Sequence, residues 1–218
     1  MMSGRLLTMI LVSALAAPGC APSDDDDFGA ERPAAGTEAE RPAAGTDMTP
    51  TVVIETTNGR IVVELNRERA PESVDNFLRY VRGGFYAGLS FHRVQPNVIQ
   101  TGVYTADRRV RSAANAFPVI NEADNGLKNV RGSIAMARTS DPHSATSQFF
   151  INVLDNPGYD FREKTARGWG YAVFGHVTEG LDVLDAITAV PTRIQGTFPV
   201  PIDPIVIERA YVADRGGS

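Results

Sequence analysis

The chain has 218 residues, of which 43% are hydrophobic and 22% charged, with a formal net charge of -5. That length accommodates one domain with a sizeable core plus appendages, and the acidic balance gives no reason to expect nucleic-acid binding, which usually shows a basic patch. The single cysteine, Cys20, excludes an intramolecular disulfide.

Residues 1–20 stand apart from the rest. Arg5 supplies a positive start, and Leu6 to Ala17 is an apolar run broken only by Thr8 and Ser13, with small residues following up to Cys20. This is the pattern of a secretory signal peptide, too short for a stable membrane anchor. Ala17-Pro18-Gly19-Cys20 resembles a bacterial lipobox, in which the cysteine is lipidated and becomes the mature N-terminus; Pro18 is less usual there, and plain cleavage near Cys20 is the alternative. Ala21 after the cysteine resembles outer-membrane sorting in Gram-negative lipoproteins. Residues 21–50 read as a disordered tether. Asp24 to Asp27 is an acid run, and Glu31-Arg32-Pro33-Ala34-Ala35-Gly36-Thr37 recurs as Glu40-Arg41-Pro42-Ala43-Ala44-Gly45-Thr46. With almost no large apolar side chains, such a segment cannot offset the entropy of ordering, and its prolines keep it extended.

Residues 51–218 form the folded domain. Val52, Ile54 and Thr56 alternate with Val53, Glu55 and Thr57, and Ile61, Val63 and Leu65 return after Asn58-Gly59, predicting a hairpin turning on those two residues. Pro71 suits the first position of a helix whose Val74, Phe77, Leu78 and Val81 make one apolar stripe, ended by Gly83-Gly84. A second helix is predicted from Leu181 to Ile187, after Gly180, turning Val183 and Leu184 inward. The other apolar runs, near Phe91, Ile99, Ile134, Phe150, Val173 and Val206, are short and bounded by turn residues. Many short strands with two helices predict a mainly β fold, a closed antiparallel barrel.

The usual signatures of hydrolysis and metal chemistry are missing. There is no Gly-x-Ser-x-Gly elbow, Walker loop or His-Glu-x-x-His helix, and His92, His143 and His176 lack paired ligand spacing. What remains is a peptide-gripping pattern in Phe91-His92-Arg93-Val94 and Ser147-Gln148-Phe149-Phe150-Ile151-Asn152. Strand alternation directs Phe91 and Arg93 to one face, Gln148 and Phe150 to one face, and His92 away from Arg93. A planar cationic donor, an amide and a large ring suit a polypeptide cleft.

Together with Gln100, Asn121 to Leu127, Ile134-Ala135-Met136-Ala137-Arg138 and Tyr171-Ala172-Val173-Phe174-Gly175, these segments resemble the cyclophilin family of peptidyl-prolyl isomerases, its bacterial branch most closely, over Thr51 to Val212. The resemblance implies a closed eight-stranded barrel capped by a helix at each end, with the site on its outer face. It implies rotation of X-Pro bonds without a cofactor or metal, in proline-containing polypeptide clients. It implies Arg93, Gln100 and Phe150 as the catalytic residues. Phe150 would floor a proline slot with Met136 as a wall and Val98 and Tyr159 at the rim. Gln100 and Gln148 would bind the peptide carbonyl and hold Arg93, the backbone at Ala137 and Arg138 would hold the substrate chain, and Tyr171 stands where many relatives carry a histidine.

Three departures qualify the match. Pro96-Asn97-Val98-Ile99-Gln100 is one residue short and lacks the phenylalanine usual there, Thr101 replaces a common glycine, and Gly158 stands where relatives carry tryptophan or phenylalanine. They predict a shallower slot, weaker turnover and poor binding of cyclosporin-type ligands. The resulting expectation is a monomeric, lipid-anchored periplasmic isomerase assisting the folding of exported or envelope proteins, without nucleic-acid partners and touching the membrane only through its anchor. The alternative is a proline-segment receptor or chaperone of the same fold with little turnover.

Overall fold

The computed structural model describes residues 47–112 and 116–213. The expected signal peptide, Cys20 and most of the expected tether lie outside the described residues.

Eight strands form one antiparallel sheet: β1 (Thr51–Thr56), β2 (Gly59–Leu65), β3 (Arg93–Val94), β4 (Val98–Thr101), β5 (Ser133–Met136), β6 (Phe149–Asn152), β7 (Val173–Glu179) and β10 (Ile207–Val212). Their order is β10-β1-β2-β7-β5-β6-β4-β3. Two helices, α1 (Pro71–Arg82) and α2 (Leu181–Thr188), complete the core, and β8 (Thr192–Gln195) pairs with β9 (Phe198–Pro201) as a separate ribbon.

The fold is mainly β, but the expected closed barrel is an open half-barrel. β3 and β10 are the two ends of the sheet and do not pair as a ladder. Their seam carries single hydrogen bonds instead: Gly88 N–H to the Ile207 carbonyl (2.7 Å), Ile207 N–H to Leu89 (2.8 Å) and Phe91 N–H to Ile205 (2.9 Å). Gly88 turns the chain at φ +79, and Pro204, just before β10, has no N–H to give. Too few extended residues remain on either side for a ladder.

The core follows from the alternation. β1 and β2 pair Val52 with Val63 and Ile54 with Ile61, and these residues and Leu65 are buried. The α1 stripe Val74, Phe77, Leu78 and Val81 covers them. The Phe77 ring meets Phe149 edge-on at 5.2 Å and Phe174 at 5.3 Å, aromatic geometries that add to area burial. In α2, Leu184 and Ile187 are fully buried while Val183 is only half-covered.

Local chemistry moves one predicted turn. Thr56 pairs with Gly59, so the β1–β2 turn residues are Thr57-Asn58 and not Asn58-Gly59. The Thr56 hydroxyl accepts the Asn58 N–H (3.1 Å) and donates to the Gly59 carbonyl (2.8 Å), closing the turn from its first residue. The β8–β9 ribbon is absent from the sequence-based expectation, because Pro199 and Pro201 argue against a strand. An exposed two-stranded ribbon tolerates both.

Two remote contacts set the frame for the outer face. Ala70, the residue preceding α1, makes no side-chain cap. The Glu122 carboxylate takes that role, accepting the N–H of Glu72 (3.0 Å) and of Ser73 (2.9 Å) and the Ser73 hydroxyl (2.7 Å), a negative charge at the positive helix end. At the end of β4, Gly102 (φ +105) passes so close to the next segment that a Cβ there would lie 2.5 Å from the Ser147 carbonyl and 2.7 Å from Gln148 Cα. Ser147 Oγ donates to the Gly102 carbonyl (2.8 Å) and the Tyr86 hydroxyl donates to the Ser147 carbonyl (2.9 Å). Gly102→Ala should therefore combine backbone strain with a steric clash and lower unfolding free energy by about 2–4 kcal/mol. Urea denaturation of the two proteins measures it, and a loss under about 0.5 kcal/mol, the range of an ordinary surface change, would show that the close approach relaxes freely.

Candidate active site

The strand register lays the site out in one line. Arg93 of β3 pairs with Gln100 of β4, Gln100 with Phe150 of β6, Phe150 with Ala135 of β5, and Ala135 with Val173 of β7. Residues directly opposite in neighbouring strands point to the same face, so the five form an outer row. The adjacent row, Val94–Ile99–Ile151–Ile134–Gly175, faces the core.

At the polar end of the outer row, Arg93 is held in position. Its Nε and Nη2 donate to Gln95 Oε1 (2.9 and 2.6 Å), and its Nη1 donates to Gln100 Oε1 (3.2 Å). Gln100 Nε2 then donates to Gln148 Oε1 (3.0 Å). A guanidinium has five N–H bonds, so two remain for a ligand. The Phe198 ring lies over the guanidinium, 4.6 Å from its carbon, a cation–π contact that fixes its plane.

At the apolar end, Val98, Ala135, Phe150 and Val173 form a cluster separate from the main core, with Leu127, Ala137, Tyr159 and Tyr171 packed against it. Phe150 is met edge-on by Tyr159 (5.8 Å) and Tyr171 (5.4 Å), and these two lie 5.1 Å apart. The shortened β3–β4 loop explains the position of Tyr159. Asn97 Nδ2 donates to Asn156 Oδ1 (2.8 Å), and Asn156 Nδ2 donates to the Asn97 carbonyl (3.1 Å). The Tyr159 N–H then donates to the Asn156 carbonyl (2.9 Å), and Asn129 Nδ2 to the Tyr159 carbonyl (3.1 Å). The loop that lacks a phenylalanine is bound directly to the turn that supplies a tyrosine. Beyond it, a Cβ on Gly158 would meet nothing within 4 Å, leaving that side of the slot open.

Two expectations need correction. Met136 is not a wall of the slot: it pairs with Phe149 and belongs to the main core, while Ala135, one residue earlier, faces outward beside Phe150. Phe91 does not point with Arg93 either. The strand begins only at Arg93, so alternation does not extend back to Phe91, which is buried in the core with Val94.

The structure places the remaining residues as follows. Thr101 is fully buried, its hydroxyl donating to the Ser90 carbonyl (2.9 Å). The Ala137 N–H donates to the Gln148 carbonyl (3.0 Å). Arg138 lies over the Tyr171 ring (4.9 Å) and donates to the carbonyls of Gly170 (2.9 Å) and Thr139 (2.9 Å), which orients Tyr171 toward Phe150. Gln95, Ala135 and Phe198 were not anticipated. Gln95 stands two residues after Arg93, just beyond the two-residue β3, near enough in sequence for the two side chains to meet. Nothing local in the sequence ties Phe198 to Arg93.

Residues 51–212 match the family model for the cyclophilin-type peptidyl-prolyl cis-trans isomerase. The chain belongs to that family. It is 54% identical over 164 residues to peptidyl-prolyl cis-trans isomerase cyp18 of Streptomyces antibioticus, covering 74% of this chain and 98% of that protein. It is 46% identical to isomerase B of Escherichia coli K12, covering 75% of this chain and 99% of that one. Among solved structures, a Cryptosporidium parvum cyclophilin superposes with a TM-score of 0.61 at 24% identity, over 77% of this chain and 99% of its own, which supports the fold. The protein is thus a cyclophilin-type peptidyl-prolyl cis-trans isomerase.

In this isomerase the motif Asn121 to Leu127 is scaffold. Asn121 Nδ2 donates to the Gly170 carbonyl (3.1 Å), Asn125 Nδ2 to Val173 (3.0 Å), and Glu122 caps α1. His92 turns away from Arg93 onto Tyr104, ring centres 5.0 Å apart. Burial first, and the Arg93 charge second, push its imidazole down from 6.5 to about 4. Between these values the unfolded chain takes up a proton that the folded chain refuses, so stability falls as pH drops from 6.5 toward 4, by up to about 3 kcal/mol from this group. His92→Phe should flatten that part of the profile, measured as denaturation midpoints at pH 7, 5.5 and 4.5. Parallel profiles would place the acid sensitivity elsewhere.

Proposed function

We propose that Arg93 catalyses X-Pro rotation by binding the twisted amide while the proline ring rests on Phe150. The observation that carries this is the row itself: a restrained guanidinium with two unused N–H bonds, one strand beyond Gln100 and two strands, roughly 10 Å, from the ring of Phe150. The arginine side chain reaches back across that gap to Gln100.

The barrier of about 18–20 kcal/mol comes from amide resonance. Rotation breaks the conjugation and makes the prolyl nitrogen pyramidal, with a lone pair that the planar states lack. A donor aimed at this nitrogen binds the twisted state more tightly than either isomer, and only such differential binding accelerates the step. Because Gln95, Gln100 and Phe198 already fix the guanidinium, little reorganisation accompanies it. Gln100 and Gln148 each retain amide N–H bonds for the peptide carbonyl. Val98, Ala135, Tyr159 and Tyr171 close the apolar slot around Phe150, which supports turnover despite the shortened loop. Ala137 and Arg138 border the path of the substrate chain.

The clients we infer are proline-containing polypeptides outside the cytoplasm, met by a monomer tethered to the cell envelope. The basis is the signal-like run of residues 1–20, the lipobox-like Ala17 to Cys20 and the polar tether after it. On this reading Cys20 carries the lipid and the domain works in the periplasm.

Arg93→Ala should lower kcat/KM on a short X-Pro peptide by roughly 10²–10³-fold, the scale of losing one preorganised donor, while peptide affinity falls far less. Arg93→Lys should rescue little, since a point charge does not reproduce a planar fork. Protease-coupled isomerisation and calorimetry on the same variants separate the two effects, and an unchanged kcat with weakened affinity would reassign Arg93 to ordinary substrate binding. For the anchor, intact mass of the full chain expressed with its leader should show a lipidated N-terminus at Cys20, lost in Cys20→Ser. An unmodified mature N-terminus in the parent protein would refute the lipoprotein reading.

A further inference from the structure

Phe198 serves two concavities. One is the Arg93 site, where its ring covers the guanidinium at 4.6 Å. The other is a cavity of about 160 Å³ lined by Phe198, His92, Tyr104, Val200, Pro201 and Pro204, with Ala106 also on its wall. Alternation in β9 directs Phe198 and Val200 to the same face of the ribbon. The ribbon therefore forms one wall of the cavity and, through Phe198, one wall of the arginine site. Phe198 keeps 41% of its surface exposed, so this shared wall is open to a ligand.

We propose that the cavity is a second subsite for the polypeptide whose proline lies over Phe150, taking one aromatic or large aliphatic side chain three to five residues from that proline, beyond Arg93. This rests on the reading of Arg93 and Phe150 given above. Size fits: a cavity of roughly 150 Å³ with apolar walls accepts a benzene ring. Reach fits as well. Phe150 and Arg93 are two strand spacings apart and the cavity lies about one spacing further, roughly 15 Å in all, which an extended chain covers in about four to five residues at ~3.3 Å each, or in fewer with the help of a long side chain. Chemistry favours an apolar occupant. Most of the wall is proline, valine and aromatic rings, with Ser90, Gln195 and Arg108 as its polar members, and the imidazole among them is held neutral, its Nδ1 buried without a hydrogen-bond partner. An ammonium entering there would lose its water and meet the like charge of Arg108, while a carboxylate would find that single cation, which already points at the Pro201 carbonyl (3.5 Å), on an otherwise mostly apolar wall.

The test uses the intact protein and a peptide series. A short X-Pro peptide is lengthened with alanines, and phenylalanine replaces one alanine at each position three, four or five residues before or after the proline. Isomerisation is followed by NMR exchange. Phenylalanine at one or more of these positions should raise kcat/KM roughly tenfold over its alanine twin, chiefly through KM, as binding remote from the reacting bond does. Val200→Trp, from the ribbon, and Ala106→Trp, from the turn that follows β4, both fill the cavity and should each bring that ratio to about one. If the first disturbs the ribbon, the second still gives the answer. No gain at any position, or a gain that survives both filled variants, would overturn the subsite. Loss of turnover on every peptide, the shortest included, would instead sink the reading of the Arg93 site and the subsite with it.

Discussion

The register of β4 between β3 and β6 governs the rest of the molecule. Gln100 stands opposite Arg93 on one side and Phe150 on the other, while Ile99 stands opposite Val94 and Ile151. A slip of one residue would turn Ile99 to solvent and Gln100 into the core, reversing both faces together. The hydrophobic penalty for such a slip is large, since Ile99, Ile151 and Ile134 are all fully buried. Apolar packing on the inner face thus fixes where a charged group stands on the outer one, and the precision of the site derives from the core. Gly102 and Ser147 add to this by locking the end of β4 against the residue that precedes Gln148.

Polar groups near the slot are arranged to immobilise rather than to react. Asn97, Asn156 and Asn129 bind carbonyls and one another until the loops that carry Val98 and Tyr159 have a single arrangement. Gln95 and Gln100 do the same for the guanidinium. On the proposed mechanism, which makes and breaks no covalent bond, such restraint is the catalytic resource: a donor that is already placed gains the full benefit of a nitrogen lone pair that exists only midway through rotation.

Much of this could be read from the sequence, for identifiable reasons. Strong periodicity revealed α1, and its predicted stripe is the buried one. The chain of Arg93, Gln100 and Gln148 was legible because each residue lies in a motif, and the structure joins them by direct hydrogen bonds. Errors arose where a short-range rule met a longer-range one. Extending strand alternation back to Phe91 failed because β3 is two residues long, and Met136 was placed on the wrong face by one position. The turn at Thr57-Asn58 was decided by a threonine hydroxyl that competes with the Asn-Gly preference. Closure of the barrel depended on how many extended residues survive between Gly88 and Pro204, which local propensity does not report. Phe198 and the β8–β9 ribbon were invisible because two prolines disguised the strand and Arg93, which Phe198 covers, lies about a hundred residues away in sequence.

The pairing of β1 with β10 also has a meaning for the order in which the chain assembles. β1 is the first strand among the described residues and leaves the ribosome long before β10, yet Val52 waits for Val212 and Ile54 for Ala210. Until those residues arrive, one edge of β1 has unpaired N–H and carbonyl groups, an invitation to pair with another chain. The cap of α1 is deferred in the same way, since Glu122 lies about fifty residues downstream. Contacts so distant in sequence favour slow, late completion over stepwise growth from the N-terminus. An isomerase of this topology is exposed to misassembly until nearly its last strand is in place.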